Sequence, residues 1–255
     1  MGYKTVTEMP GNKATKENLN MLYTRYKWAL QFVQGKDVLE AGCGAGQGLG
    51  FLAQSAKKIV GGDVDEEILK YPREHYKERI EIVNFDAHNF PFENNSFDTV
   101  ILFETIYYLK EPKVFLKECC RVLRDKGLVL ICQANKERPG FNPSPFAFKY
   151  FSAGEFQDLF LGAGFNPKIF GAFPTKENSF KGRILSFVRK VAVKLHLIPK
   201  TMRGKEKLKR LFFGKLKDTP LEIKQGMADY EDPVLINPAV PCRDYKVLFI
   251  LAEKC

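Results

Sequence analysis

Through its first two-thirds the chain alternates short apolar runs with amphipathic stretches. KDVLEA (36–41), KIVGGD (58–63), IEIVNF (80–85), FDTVILF (97–103) and GLVLICQA (127–134) are rich in β-branched and apolar residues. Runs of that length and composition predict strands covered on both faces. Between them the period lengthens to that of a helix. Residues 46–56 put Leu49, Leu52, Ala53 and Ala56 on one face, and 65–76 opens with acids, as a helix N-terminus should. The stretch 111–124 has Pro112 in its first turn and an inner stripe of Val114, Phe115, Cys119, Val122 and Leu123.

Ahead of the first strand, 15–34 reads as a helix with Leu19, Leu22, Tyr23, Tyr26, Ala29 and Leu30 on its inner side. After the fifth strand, Ser152 caps a short helix with Glu155 at the capping-box position, and Gly162 to Gly164 end it. Residues 167–173 and 245–252 give a sixth and a seventh strand. Alternating strands and helices imply parallel strands joined by right-handed crossovers, hence a doubly wound α/β sheet. The whole chain, 1–255, reads as one domain: a helical cover over 1–34, the sheet, and an insertion over 180–242 between the last two strands. Within the insertion, 181–197 predicts an amphipathic helix that Pro199 breaks, and 204–213 predicts a second.

Charge singles out that insertion. The formal net charge is +10, and 181–217 alone holds thirteen Lys and Arg against one acid, Glu206, so the remainder is close to neutral. Such a segment suits an acidic or phosphate-bearing ligand, an anionic membrane surface or nucleic acid. The six cysteines form no C-x-x-C pair, which argues against a disulfide scaffold and a metal centre. Cys120 and Cys132 fall in apolar runs and are expected in the core. No run reaches bilayer-spanning length, and 1–16 lacks the apolar core of a signal peptide, so a cytoplasmic location is expected.

The chemistry concentrates at VLEAGCGAGQG, where glycines after a strand open a helix and let a ligand approach the backbone closely. A dinucleotide fingerprint needs G-x-G-x-x-G. Counting from Gly42 and Gly44, the third glycine is replaced by Gln47; counting from Gly44 and Gly46, it is replaced by Leu49. A phosphate P-loop is excluded because no G-K-[ST] follows. Cys43 reads as a small residue that fits the loop.

These residues resemble the first motif of the class I S-adenosylmethionine-dependent methyltransferases, E-x-G-C-G-x-G, in Glu40, Gly42, Cys43, Gly44 and Gly46. Three further motifs follow in order: Asp63-Val64 ending the second strand, Asp86-Ala87 ending the third, and FDTVILFETIYYL around the fourth. The resemblance covers roughly 24–134, and more loosely the last strands. It implies a Rossmann-like, seven-stranded, mostly parallel sheet with an antiparallel last strand and a helical cap insertion. It also implies S-adenosylmethionine as cofactor, with Asp63 on the ribose hydroxyls, Asp86 and the Ala87 amide on the adenine, and Val64 and Phe103 lining the site. Arg25 or Tyr23, on the opening helix, would meet the methionine carboxylate.

Methyl transfer from a sulfonium asks mainly for alignment and exclusion of water, and a hydroxyl acceptor also needs a base. Candidates stand where the fourth strand ends: Glu104, Tyr107 and Tyr108. Relatives often carry histidine at the two tyrosines, so this chain departs from a His-based mechanism. Glu104 is a base, a helix cap or a cofactor-side contact, and His88 a surface residue. Phe141, Phe146, Phe148 and Tyr150 either form an apolar lid or pack their loop onto the core. RYKWALQFVQGKDVLEAGCG is similar to methyltransferases of glycan and secondary-metabolite assembly, which implies a small-molecule or sugar-type acceptor. Two alternatives stay open: a lipid-linked or membrane-surface substrate engaged through the basic insertion, and nucleic acid. FETIYYL lacks the polar residue and two prolines of base-amino methyltransferases, which argues against nucleic acid.

Overall fold

The computed structural model describes residues 8–175 and 216–255, so the two helices expected at 181–197 and 204–213 lie outside the described residues. The chain begins with a two-residue strand, β1 (Lys13–Ala14), and helix α1 (Lys16–Ala29). It continues through β2 (Asp37–Ala41), α2 (Leu49–Ala53), β3 (Lys58–Asp63), α3 (Glu66–Tyr76) and β4 (Glu81–Asn84). Next come β5 (Phe97–Phe103), α4 (Pro112–Val122), β6 (Leu123–Ala134), α5 (Ala153–Leu161) and β7 (Phe165–Pro174). β8 (Lys217–Asp218), β9 (Val234–Leu235) and β10 (Tyr245–Lys254) complete it. Side-chain oxygens set three helix starts: Thr15 accepts from the Asn18 amide, Asp65 from Glu67, and Ser152 and Glu155 form the expected capping box.

The main sheet runs β4-β3-β2-β5-β6-β10-β7-β9. β2 to β6 pair in parallel, whereas β10 lies antiparallel to both its neighbours. The last strand is therefore wedged between β6 and β7, and the two residues of β9 add an eighth strand at the edge beyond the seven expected. Successive strand residues face opposite sides. Leu39, Val100 and Leu102 pack with α4 and α5 on one side, and Val38, Ile101 and Phe103 with α1, α2 and α3 on the other. Chain direction across the sheet switches between β2 and β5. A crevice forms at the carboxyl ends of strands at such a switch, so Glu40 and Glu104 belong to one place.

Several details depart from the sequence reading. Helix α2 is only five residues long because Gly46 to Gly48 stay in the loop; a Cβ at Gly48 would stand 1.8 Å from the Tyr26 ring. In α4, Leu116 faces inward in place of Val114, which is exposed, and Leu123 already belongs to β6. Cys132 is buried as expected, but Cys120 is half-buried and its neighbour Cys119 takes the core position. Trp28 and Arg25 are buried on α1 although neither fits its apolar stripe.

Residues 216–231 cross the outer side of this layer. Ile223 donates its N–H to Gln47 O at 2.8 Å, and Gln47 Nε2 donates to Pro220 O at 2.8 Å. Gly226 N donates to Tyr23 Oη at 3.0 Å and Glu231 N to Thr24 Oγ1 at 3.1 Å. The strap thus ties α1 to the glycine loop. Tyr23 Oη is an acceptor for this strap.

Candidate functional site

The turn after β2 requires its glycines for two reasons. Gly42, Gly44 and Gly46 have φ of 65°, 55° and 73°, in the left-handed region. A Cβ at Gly42 would also lie 2.7 Å from Thr105, and one at Gly46 2.6 Å from Pro72. Cys43 N donates to Gly62 O at 2.9 Å, pinning the loop to the end of β3, and the buried Cys43 thiol points back to Gly44 O. Tyr76 fixes the far side, donating to Gly46 O at 2.8 Å and accepting from Gly50 N at 3.1 Å.

Asp63 closes the same turn. Its Oδ2 accepts from Gly44 N and its Oδ1 from Asp65 N, each at 3.0 Å. Burial raises its pKa, against the pull of these backbone amides. Val64, beside it, is 55% exposed, an apolar side chain left on the open side of the loop. Asp86 accepts at Oδ1 from the His88 amide (2.9 Å) and faces His88 Nδ1 at 2.6 Å. Slight burial opposes ionisation, but these His88 contacts hold the carboxyl below its usual range. His88 is half-buried, not a free surface residue, and its Nε2 accepts from Glu111 N at 3.3 Å. Ala87 is buried beside it.

The inner wall is more heavily charged than its burial would suggest. Glu40 is 1% exposed. Tyr26 donates to its Oε1 at 2.7 Å, while Oε2 is buried without a partner among the described residues. Burial pushes its pKa up to about 7, against the Tyr26 hydrogen bond and the charge of Arg25. Arg25 is 6% exposed, with Nη2 on Glu8 Oε2 at 2.6 Å and Nε buried and unpartnered. Burial works against its charge, but the carboxylates of Glu8 and Glu104 outweigh that and keep it protonated. Phe103 is buried edge-on to Tyr26, ring centroids 5.5 Å apart.

Glu104 stands at the end of β5 with φ +50°, a strained conformation for a residue with a side chain. Its N–H donates to Cys132 O at 2.8 Å, so the sheet holds the strain in place. Tyr107 Oη donates to Glu104 Oε2 at 3.1 Å, and Cys132 Sγ lies 3.8 Å from Oε1. Burial raises the Glu104 pKa, partly offset by Arg25. The turn that follows begins at Thr105, so Glu104 is not its cap. Tyr107 stacks on Tyr150 (4.2 Å, 18°), Phe141 meets Tyr150 edge-on (4.8 Å), and Tyr108 donates to Ser144 Oγ at 2.9 Å. Half of the expected lid therefore packs as a wall against the β5 exit. Phe146 and Phe148 face solvent, Phe148 at 64%.

The structure thus brings Glu40, Gly42, Cys43, Gly44, Gly46, Asp63, Arg25 and Phe103 around one loop, with Glu104 and Tyr107 adjoining through Arg25. Sequence reasoning missed Tyr26, Thr105 and Glu8. Tyr26 fits the helix stripe, which hid its hydroxyl, and no local signal marks Glu8. Among the described residues an open cleft of about 330 Å³, lined by Asp37, Lys58, Glu81 and Phe97, lies at the amino ends of the strands, away from this site. Its Lys58 and Glu81 are paired at 2.9 Å.

Comparison with known proteins agrees with this arrangement. The family model described as "Methyltransferase domain" matches residues 39–131. A Mycobacterium tuberculosis protein named "Probable S-adenosylmethionine-dependent methyltransferase" is 35% identical over 136 residues, 51% of this chain and 48% of that one. A "Fatty-acid O-methyltransferase" of Mycolicibacterium smegmatis is 36% identical over 105 residues, 40% of this chain and 38% of its own. This chain spans about half the length of the first of these curated relatives. In fold it is similar to a SAM-dependent methyltransferase from Archaeoglobus fulgidus, with TM-score 0.58, 16% identity, and coverage of 94% of this chain and 95% of that one. With the Rossmann-like sheet, the glycine loop and the acid after β3 in register, residues 39–131 match the methyltransferase-domain family and are similar to S-adenosylmethionine-dependent methyltransferases.

Proposed function

We propose that the protein transfers a methyl group from S-adenosylmethionine to oxygen, or to nitrogen, of a small-molecule or sugar-type acceptor. The observation that carries this reading is the pair of buried, unpartnered atoms beside the glycine loop, Glu40 Oε2 and Arg25 Nε. Buried polar atoms without partners are rare and cost about 1–3 kcal/mol each. The amino-acid end of S-adenosylmethionine carries an ammonium and a carboxylate, which suit these two atoms. Asp63 keeps lone pairs for a ribose diol beyond its two backbone bonds. The turn of Gly42, Cys43, Gly44 and Gly46 would lie against the cofactor, with Val64 on the adenine face, Asp86 and the Ala87 amide at the adenine edge, and Phe103 behind. When bound, the cofactor supplies an electrophilic methyl on a sulfonium.

The chain's own part is to align, to exclude water and to move a proton. Glu104, raised in pKa and oriented by the Tyr107 hydroxyl, accepts the proton of a hydroxyl acceptor. Tyr107, Tyr108 and Tyr150 shield that proton transfer from bulk water. Residues 8–34 act as cover and the described part of the insertion, 216–242, as a cap, in a protein proposed to work in the cytoplasm. No helix among the described residues is long and apolar enough to cross a membrane. A second reading, an acceptor with a lipid-like body, draws support from Phe146 and Phe148, exposed next to the aromatic wall, and from the fatty-acid relative.

Titration calorimetry with S-adenosylmethionine tests the cofactor step, and acceptor screening on sugar nucleotides, hydroxylated metabolites and fatty acids follows. A folded wild-type protein that binds no S-adenosylmethionine would sink the proposal.

A further inference from the structure

Arg25 presents a two-donor edge, Nε and Nη2, side by side in the guanidinium plane. A carboxylate satisfies such an edge with two parallel hydrogen bonds. Glu8 supplies only one: its Oε2 meets Nη2 at 2.6 Å, and Nε is left buried with no partner. The Glu8 side chain is itself 46% exposed, so it reaches from the surface into a site whose arginine is buried. Glu8 is carried on a segment that is anchored independently of Arg25. Gly11 N donates to Thr219 O at 2.9 Å, Thr219 N to Asn12 O at 2.8 Å, and Lys13 pairs with Asp218 at 2.5 Å. All of these contacts lie beyond Glu8, so its side chain can swing out while the β1–β8 ribbon stays zipped.

We infer that Glu8 is a resident stand-in for the α-carboxylate of the ligand, which enters by displacing Glu8 from Arg25 and taking both donors. This rests on the cofactor reading above and adds a self-blocking contact that the glycine loop does not require. Exchange is favourable because the half-exposed Glu8 carboxylate regains water while the incoming carboxylate keeps the buried arginine paired and adds a second charge-assisted bond. Until it leaves, Glu8 lowers the apparent affinity for any ligand that needs the guanidinium.

The test compares S-adenosylhomocysteine, which carries the α-carboxylate, with 5′-methylthioadenosine, which keeps the nucleoside but lacks the amino-acid end. Calorimetry on the full chain should show Glu8→Gln binding S-adenosylhomocysteine on the order of tenfold more tightly, with methylthioadenosine affinity unchanged. In an Arg25→Gln background, with methylthioadenosine binding reporting the fold, Glu8→Gln should have no effect, because the contested donors are gone. Unchanged or weaker S-adenosylhomocysteine binding, an equal change for both ligands, or the same tightening without Arg25 would each overturn the inference. Wild-type protein that binds neither ligand refutes the cofactor reading as well. Binding of both with no response to Glu8→Gln refutes only the displacement.

Discussion

Tyr26 donates its hydroxyl to one oxygen of Glu40 at 2.7 Å and leaves the other oxygen buried with no partner. The half-satisfied carboxyl sits where a strand ends and the glycine loop begins, with its unpartnered oxygen beside that loop. Burial pushes its pKa from 4.5 to about 7. An acid whose pKa is higher folded than unfolded contributes stability that is complete below the unfolded value and lost as pH rises through the folded one. Between about pH 4.5 and pH 7 the protein should therefore lose roughly 3 kcal/mol on account of this group. Glu40→Gln should flatten that slope and melt higher than wild type at pH 8, as followed by circular dichroism. A wild-type-like slope in the variant would show that the carboxyl is not the source.

The same group predicts proton release on binding. An ammonium beside Glu40 favours the ionised form, so S-adenosylmethionine binding below pH 7 should expel a proton. Calorimetric enthalpies in buffers of different ionisation heat should separate at pH 6 in the sense of proton release, and that release should vanish in Glu40→Gln.

Asp63 holds the loop and, under the proposed function, the ligand as well. Asp63→Ala frees the Gly44 and Asp65 amides and would remove the acceptors proposed for a ribose diol. We expect at least about a 100-fold loss of S-adenosylmethionine affinity, the order of two hydrogen bonds to a charged group. A loss below tenfold in calorimetry would show that Asp63 is only a turn residue.

Gly46→Ala should destabilise by roughly 2–3 kcal/mol, combining a left-handed φ with a Cβ driven against Pro72. For a chain of this length that is a fall of about 4–10 °C in Tm. Gly164→Ala is the control, because its φ of 82° carries the backbone strain but its Cβ meets nothing within 4 Å. It should fall by less.

Glu104→Gln keeps the size of the side chain and its contact with Tyr107 but removes the base. With a hydroxyl acceptor, turnover should drop by about 10²-fold or more while cofactor affinity is retained. Because burial raises the Glu104 pKa, the acidic limb of the wild-type pH–rate profile should lie above the ordinary carboxylate range and vanish in the variant. Unaltered kcat in Glu104→Gln would point to an acceptor that needs no base.

Much of this protein could be read from local pattern. The period of apolar residues marked the strands of a parallel sheet, because buried parallel strands must be apolar on both faces. The glycines of the first loop and Asp63 stood in register for the same kind of reason: a left-handed turn accepts little else, and the acid falls one strand later at a fixed place. Where the pattern erred, packing had overruled spacing. Val114 turned outward once Leu116 filled the α4 interface, and the Tyr26 ring, seated where a Cβ at position 48 would stand, admits only glycine just ahead of α2. What only the tertiary structure decided is which charges share the buried wall. Glu8, Arg25, Glu40 and Glu104 come from four separate stretches and meet only when α1 crosses the ends of β2 and β5. The protonation of Arg25, Glu40 and Glu104 depends on burial and on neighbouring charge, and neither exists along an extended chain. The sequence by itself determined a sheet with a glycine-lined turn at its switch point; three-dimensional packing, through burial, determined that a carboxyl oxygen of Glu40 and the Nε of Arg25 stand there without partners.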